Sequence, residues 1–174
     1  MNNNDGIERH IISVLVDNEP GVLARVIGLF SGRGYNIESL TVAEVEEKCS
    51  LSRISIVTSG TPMVIEQIKS QLARLVPIHS VRDLTEMDAA IERELALVKI
   101  INEGKNRIEA LRIADTFRAR TLDSTLDSFV FEVTGNSSKV AAFIDLMQSL
   151  GDVEIARTGV SAISRGNRID LTAK

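Results

Sequence analysis

Tryptophan is absent from this sequence, tyrosine occurs once and phenylalanine five times. A sheet that reads nucleic acid by stacking bases needs aromatic side chains on its central strands, so this scarcity argues against an RNA-recognition module. Cysteine is almost missing as well. The single Cys49 cannot close an intramolecular disulfide, and neither Cys-x-x-Cys nor His-Glu-x-x-His spacing occurs. No motif joins the two histidines, His10 and His79, to Cys49, so nucleophile–base and metal chemistry have no candidate, and both histidines read as structural or surface residues. A large excess of one charge is also lacking. With 20 basic and 24 acidic residues the net charge is -4, which provides no global drive toward nucleic acid or an anionic membrane. Arg157, Arg165 and Arg168 therefore read as a solvated face. No apolar run approaches the ~20 residues of a spanning helix, and the first six residues have neither the charge nor the apolar stretch of a signal peptide. The expected compartment is the cytoplasm.

Phosphate-binding glycine patterns are incomplete. Gly32-x-Gly34 follows a helix pattern instead of a strand and lacks the third glycine of a dinucleotide fingerprint, so it reads as a helix stop. Gly104-Lys105 lacks the earlier glycine of a phosphate loop, and Asn136-Ser137-Ser138 reads as a helix cap, not as a glycosylation site. The chain therefore carries no catalytic residue, no metal ligand and no cofactor motif of its own that the sequence reveals.

Apolar periodicity is what the sequence does have. Of 174 residues 44% are hydrophobic, enough for one large core or two small ones. Residues 10–16 read as a buried strand, and Val22, Leu23, Val26, Ile27 and Phe30 recur at helical spacing after Pro20, which is expected in the first helical turn. Residues 36–45 and 51–58 read as strands separated by a charged turn at 46–48; in the second, Ile54 and Ile56 alternate with Arg53 and Ser55, as in a sheet packed on one face. Thr61-Pro62 starts a helix carrying Val64, Ile65, Ile68, Leu72 and Leu75, and residues 78–84 can form a fourth strand. After an acidic connection at 85–94 the series repeats: strand 95–101, a helix marked by Ala110, Ile113, Ala114 and Phe117, strand 119–124, and a strand around Phe129, Phe131 and Val133. A helix capped by Asn136 and closed by Gly151 follows, and then strand 153–160. The predicted fold class is thus α+β, two successive ferredoxin-like βαββαβ units with antiparallel sheets and helices on one face, over residues 8–84 and 95–174.

One stretch stands apart. Asp17-Asn18-Glu19-Pro20-Gly21 ends an apolar strand and opens a helix at once, so backbone N–H groups at the helix start face solvent beside a short amide. Such a corner suits the carboxylate of a small molecule, with Asn18 offering an amide oxygen to an ammonium group. Asn36, at the start of the next strand, is expected close to the end of the first, with Val22 and Ile37 as apolar neighbours. The competing reading is an ordinary strand-to-helix turn capped by Asn18.

The run Asp17-Asn18-Glu19-Pro20-Gly21-Val22-Leu23 resembles the ligand loop of an ACT domain, a small amino-acid-sensing module. The continuous stretch from Val26-Ile27-Gly28-Leu29-Phe30 through Tyr35-Asn36-Ile37-Glu38-Ser39-Leu40-Thr41-Val42, with Leu51-Ser52-Arg53, is similar to the small regulatory subunit of acetohydroxyacid (acetolactate) synthase. The similarity continues through residues 93–100 and 159–166. It implies an ACT domain at 8–84 and a second ferredoxin-like domain of the small subunit at 95–174. It further implies a non-catalytic chain that activates a large catalytic subunit, which itself carries thiamine diphosphate, Mg2+ and FAD, in branched-chain amino acid biosynthesis. Feedback inhibition by valine, bound between the ACT domains of a homodimer at Asn18, Gly21, Val22, Leu23, Asn36 and Ile37, is part of the same implication. A free-standing ACT regulator of another enzyme or of transcription is the alternative, though no DNA-binding pattern is evident.

Overall fold

A computed structural model describes residues 6–46, 50–86, 90–101, 104–167 and 169. Cys49, Arg168 and most of the charged turn at 46–48 lie outside the described residues. The chain forms two compact units, residues 1–91 with 160–174 and residues 92–159.

In the first unit β1 (Glu8–Asp17), α1 (Val22–Arg33), β2 (Ser39–Glu46), β3 (Leu51–Gly60), α2 (Pro62–Leu72) and β4 (Ile78–Asp83) follow one another as the periodicity predicts. The sheet order is β2-β3-β1-β4. β1 and β3 pair antiparallel from Glu8 opposite Gly60 to Asp17 opposite Leu51. Since β1 and β2 both run antiparallel to β3, α1 is a crossover on the β2 side of the sheet and α2 one on the β4 side. Their apolar stripes, Val22, Val26 and Phe30 on α1 and Ile65, Ile68 and Leu72 on α2, close over Ile12, Val14, Val16, Ile54 and Ile56. Thr61 caps α2 by accepting the Val64 N–H at 3.4 Å, and Pro62 fills the first turn, where its missing N–H has no intrahelical use. The helix stops at Leu72, so Leu75 packs on this core from the following turn. Gly34 ends α1 at φ 71°, a left-handed position that glycine occupies without strain.

The alternation in residues 51–58 predicts one packed face, but β1 and β3 are covered on both. Ile11, Val57 and Leu84 form a second cluster with Val160 and Ala162, and the Val160 N–H donates to Ser39 Oγ at 2.8 Å. Val160 and Ala162 thus belong to the first unit. The expected last strand, 153–160, accordingly stops early as β8 (Asp152–Arg157), and a short further strand, β9 (Ser161–Ile163), follows beyond it.

The second unit repeats the order with β5 (Ile91–Ile101), α3 (Lys105–Phe117), β6 (Arg120–Ser124), β7 (Ser128–Gly135), α4 (Ser137–Gln148) and β8. Its strands follow the path β6-β7-β5-β8. β5 begins four residues before the expected position 95, inside the stretch assigned to the connection. Asn136 caps α4, its Oδ1 accepting the Lys139 N–H at 3.0 Å. The helix closes at Ser149, whose N–H returns to Asp145 and Met147, not at Gly151. Ala96, Val98, Ile100, Phe129, Phe131 and Val133 pack beneath Ala110, Ala114, Val140, Phe143 and Met147, and Phe131 meets Phe143 edge-to-face at 6.2 Å. Two strand phenylalanines that face helices are unavailable for stacking on bases.

Phe131 is fully buried at the centre of this core. Phe131→Ala is expected to destabilise the protein by about 3–5 kcal/mol, the usual cost of the lost transfer energy plus the cavity. Urea denaturation of the variant measures it as a lowered midpoint.

Candidate functional site

The end of β1 is anchored on two sides. The Asp17 N–H donates to Pro77 O at 2.9 Å, and the Asn18 N–H donates to Ser50 O at 2.6 Å. Beyond these anchors the chain turns through Glu19 and Pro20 into α1. Pro20 precedes the helix instead of filling its first turn, because Gly21 is the N-cap residue at φ 87°, ψ −9°. No side chain caps α1 and no acidic residue lies in its first turn, so Asn18 does not act as the cap. The first intrahelical hydrogen bond runs from Arg25 N–H to Gly21 O at 3.1 Å, which leaves the N–H groups of Leu23 and Ala24 ahead of the ladder, at the positive end of the helix dipole. Asn18 and Gly21 are exposed. The corner therefore combines an open helix start, an amide side chain and a glycine around which a Cβ would meet nothing within 4 Å.

Four of the six expected site residues lie together here. Asn18, Gly21 and Leu23, the last 38% exposed, reach the surface, whereas the Val22 side chain is buried in the core at 4% exposure. Asn36 and Ile37 do not join them within one chain. Asn36 O accepts the Thr58 hydroxyl at 2.6 Å, and Thr58 pairs with His10 near the start of β1. Asn18 is bound to Ser50 at the other end of β3, so the two asparagines stand roughly 23 Å apart along the strand direction. The expectation that Asn36 lies near the end of β1 fails for this reason. α1 carries the chain back along the length of the sheet, so β2 starts where β1 starts. Ile37 packs against the core beside it.

Polar pairs that the sequence did not announce flank this framework. His79 Nε2 lies 2.6 Å from Asp17 Oδ1 at the corner. At the opposite end His10 Nδ1 meets Asp83 Oδ2 at 2.6 Å, both residues buried, and Asp83 Oδ1 accepts the Thr85 N–H at 2.9 Å. In the second unit the buried Glu94 pairs with Arg157. Each pair joins strands adjacent in space but distant in the chain, and such pairing leaves no local spacing to read. Away from the corner, partial burial lowers the affinity of the Lys69 ammonium for its proton, but hydrogen bonds to Glu66 and Glu86 outweigh this and raise its pKa, so it remains a surface cation. Among the described residues no group of three or more histidine, cysteine or acidic side chains is placed to hold a metal ion, and no helix is long and apolar enough to cross a membrane.

Two family models match the chain: an AHAS small subunit-like ACT domain over residues 12–80, and the small subunit of acetolactate synthase over residues 93–166. Among similar proteins are the probable acetolactate synthase small subunit of Archaeoglobus fulgidus, 49% identical over 92% of this chain and 99% of that protein, and the acetolactate synthase isozyme 3 small subunit of Escherichia coli, 46% identical over 92% and 98%. A crystal structure of the acetolactate synthase small subunit from Thermotoga maritima superposes with a TM-score of 0.81 at 39% identity, covering 92% of this chain and 99% of that one.

Gly21 holds a left-handed backbone with open space around it, so a substitution there acts through backbone strain and not through a clash. Gly21→Ala is expected to cost about 1–2 kcal/mol, the penalty of a left-handed L-residue. A lowered urea midpoint with an unchanged slope checks this.

Proposed function

The chain belongs to the family of acetolactate synthase small subunits, and from that premise we propose that it is the non-catalytic regulatory partner of a large catalytic subunit, raising that subunit's activity and making it sensitive to valine. Thiamine diphosphate, Mg2+ and FAD reside on the catalytic subunit in this reading, and the pair works in the cytoplasm on branched-chain amino acid biosynthesis. The observation that carries the proposal is the uncapped start of α1 at Gly21 with exposed Asn18 beside it. The backbone N–H groups bind the effector carboxylate, the Asn18 amide oxygen accepts from its ammonium group, and exposed Leu23 meets its side chain.

The distance between the asparagines supports a second copy as the other half of the site. β2 is an edge strand, with Val42 and Val45 each 41% exposed, and α1 on the same side of the sheet carries Leu23 and Ile27 at 38% and 37%. Antiparallel pairing of β2 with its copy about a two-fold axis covers an edge that otherwise presents unpaired backbone groups. It also sets the start of one β2 beside the end of the other, which brings Asn36 of the partner subunit to the corner formed by Asn18 and Gly21. An effector clamped across this seam binds two protomer arrangements unequally, and that difference, typically ~1–3 kcal/mol, biases the catalytic subunit.

Mixing the chain with an acetolactate synthase catalytic subunit and following acetolactate formation tests the reading: activity is expected to rise on addition of the chain and to fall on addition of valine. Gly21→Asp places a negative charge where the carboxylate docks and is expected to abolish inhibition by valine; an enzyme still inhibited at the wild-type concentration would remove Gly21 from the site. Val42→Glu is expected to yield monomers in analytical ultracentrifugation and, with them, loss of valine binding by calorimetry. Dimers of unchanged stability would place the seam elsewhere.

A further inference from the structure

The proposed effector corner carries a carboxylate of its own, that of Asp17. Carboxylates are favoured at helix starts, and aspartate is among the preferred capping residues. Asp17 precedes the start of α1 by a few residues, yet α1 carries no side-chain cap. The Asp17 carboxylate is engaged instead with His79 Nε2 at 2.6 Å, both side chains about one-third exposed. His79 owes its position to a β-bulge. Leu15 pairs with Ser80 and Val16 with Ile78, so His79 has no rung of its own, and a bulge of this kind redirects the extra side chain. The Asp17 N–H is held from the same direction by Pro77 O at 2.9 Å, whereas Asn18, one residue on, is bound to Ser50 on the β3 side. Both anchors of Asp17 thus lie toward β4, and the open start of α1 lies after Asn18.

We propose that His79 is a positioning residue for the effector site, holding the Asp17 carboxylate toward β4 so that the start of α1 stays open to the carboxylate of an external amino acid. The inference rests on the reading of the corner as an effector site. A carboxylate carried on the same chain competes with a free ligand at a high effective concentration. Released from His79, Asp17 therefore lowers effector affinity without touching the effector itself.

Calorimetric titration of the full chain with L-valine tests this in the wild type, His79→Ala, His79→Gln and the double variant His79→Ala with Asp17→Ala. His79→Ala is expected to weaken binding about two- to fivefold, the range of a carboxylate's preference for a helix start. His79→Gln, whose amide still donates to Asp17, is expected to bind like the wild type, and the double variant to recover wild-type affinity because the competitor is gone. A purely structural role for His79 predicts the opposite for the double variant, which would bind no better than His79→Ala. Wild-type affinity in His79→Ala, or no recovery in the double variant, overturns the inference alone. A wild-type chain that binds no valine overturns it together with the effector reading.

Discussion

The ladder between β1 and β3 sets the positions of the first unit's candidate site residues. Its register, Asp17 opposite Leu51 at one end and His10 opposite Thr58 near the other, puts the polar corner and the Asn36 segment at opposite ends of a central strand pair. It also fixes the two faces: Ile12, Val14, Val16, Ile54 and Ile56 point to the helices, and Ile11 and Val57 point away. A slip of one residue would exchange these faces, so burial on both sides specifies the register strongly.

With that register in place, the openness of α1 is an electrostatic arrangement as much as a geometric one. Two residues suited to capping a helix, Asp17 and Asn18, gather at the corner, yet neither side chain caps α1. Asp17 is committed to His79 and Pro77, and the Asn18 backbone to Ser50. The helix begins on a glycine, which turns the chain but supplies no side-chain acceptor. Leaving N–H groups without a protein partner at an exposed corner is inexpensive because water satisfies them, and water is readily exchanged for a ligand carboxylate. The buried polar groups are treated differently. His10 and Asp83 are paired inside the protein, and buried Glu94 is met by exposed Arg157, since an unpaired buried charge is costly.

Element type and order were legible because each element carries a local signature. Thr61-Pro62 and Asn136 start helices by capping chemistry that acts within three residues, and both cap as expected. Helix ends were read less well: Leu75 and Leu150 continue an apolar pattern past the last helical turn, since periodicity reports which residues are buried and not where the backbone hydrogen bonds stop. The strand alternation at 51–58 concealed the second covered face, because Ser55, on the side opposite Ile54 and Ile56, is small enough to be buried without reading as apolar. At the site, the helix start and its glycine were evident, whereas the Val22 side chain turned inward and Asn36 fell at the far end of the sheet.

The sequence by itself determined the elements, their order, the two repeated units and the polar corner at Asp17 to Gly21, all of which follow from interactions between residues a few positions apart. Only the tertiary structure decided which corner residues meet, that His79 turns to Asp17, that Val160 and Ala162 pack against Ile11 and Val57, and that Asn36 stands a strand's length from Asn18. These facts depend on register and crossover direction, which arise when segments far apart in the chain bury their apolar faces together. No local spacing encodes such a choice.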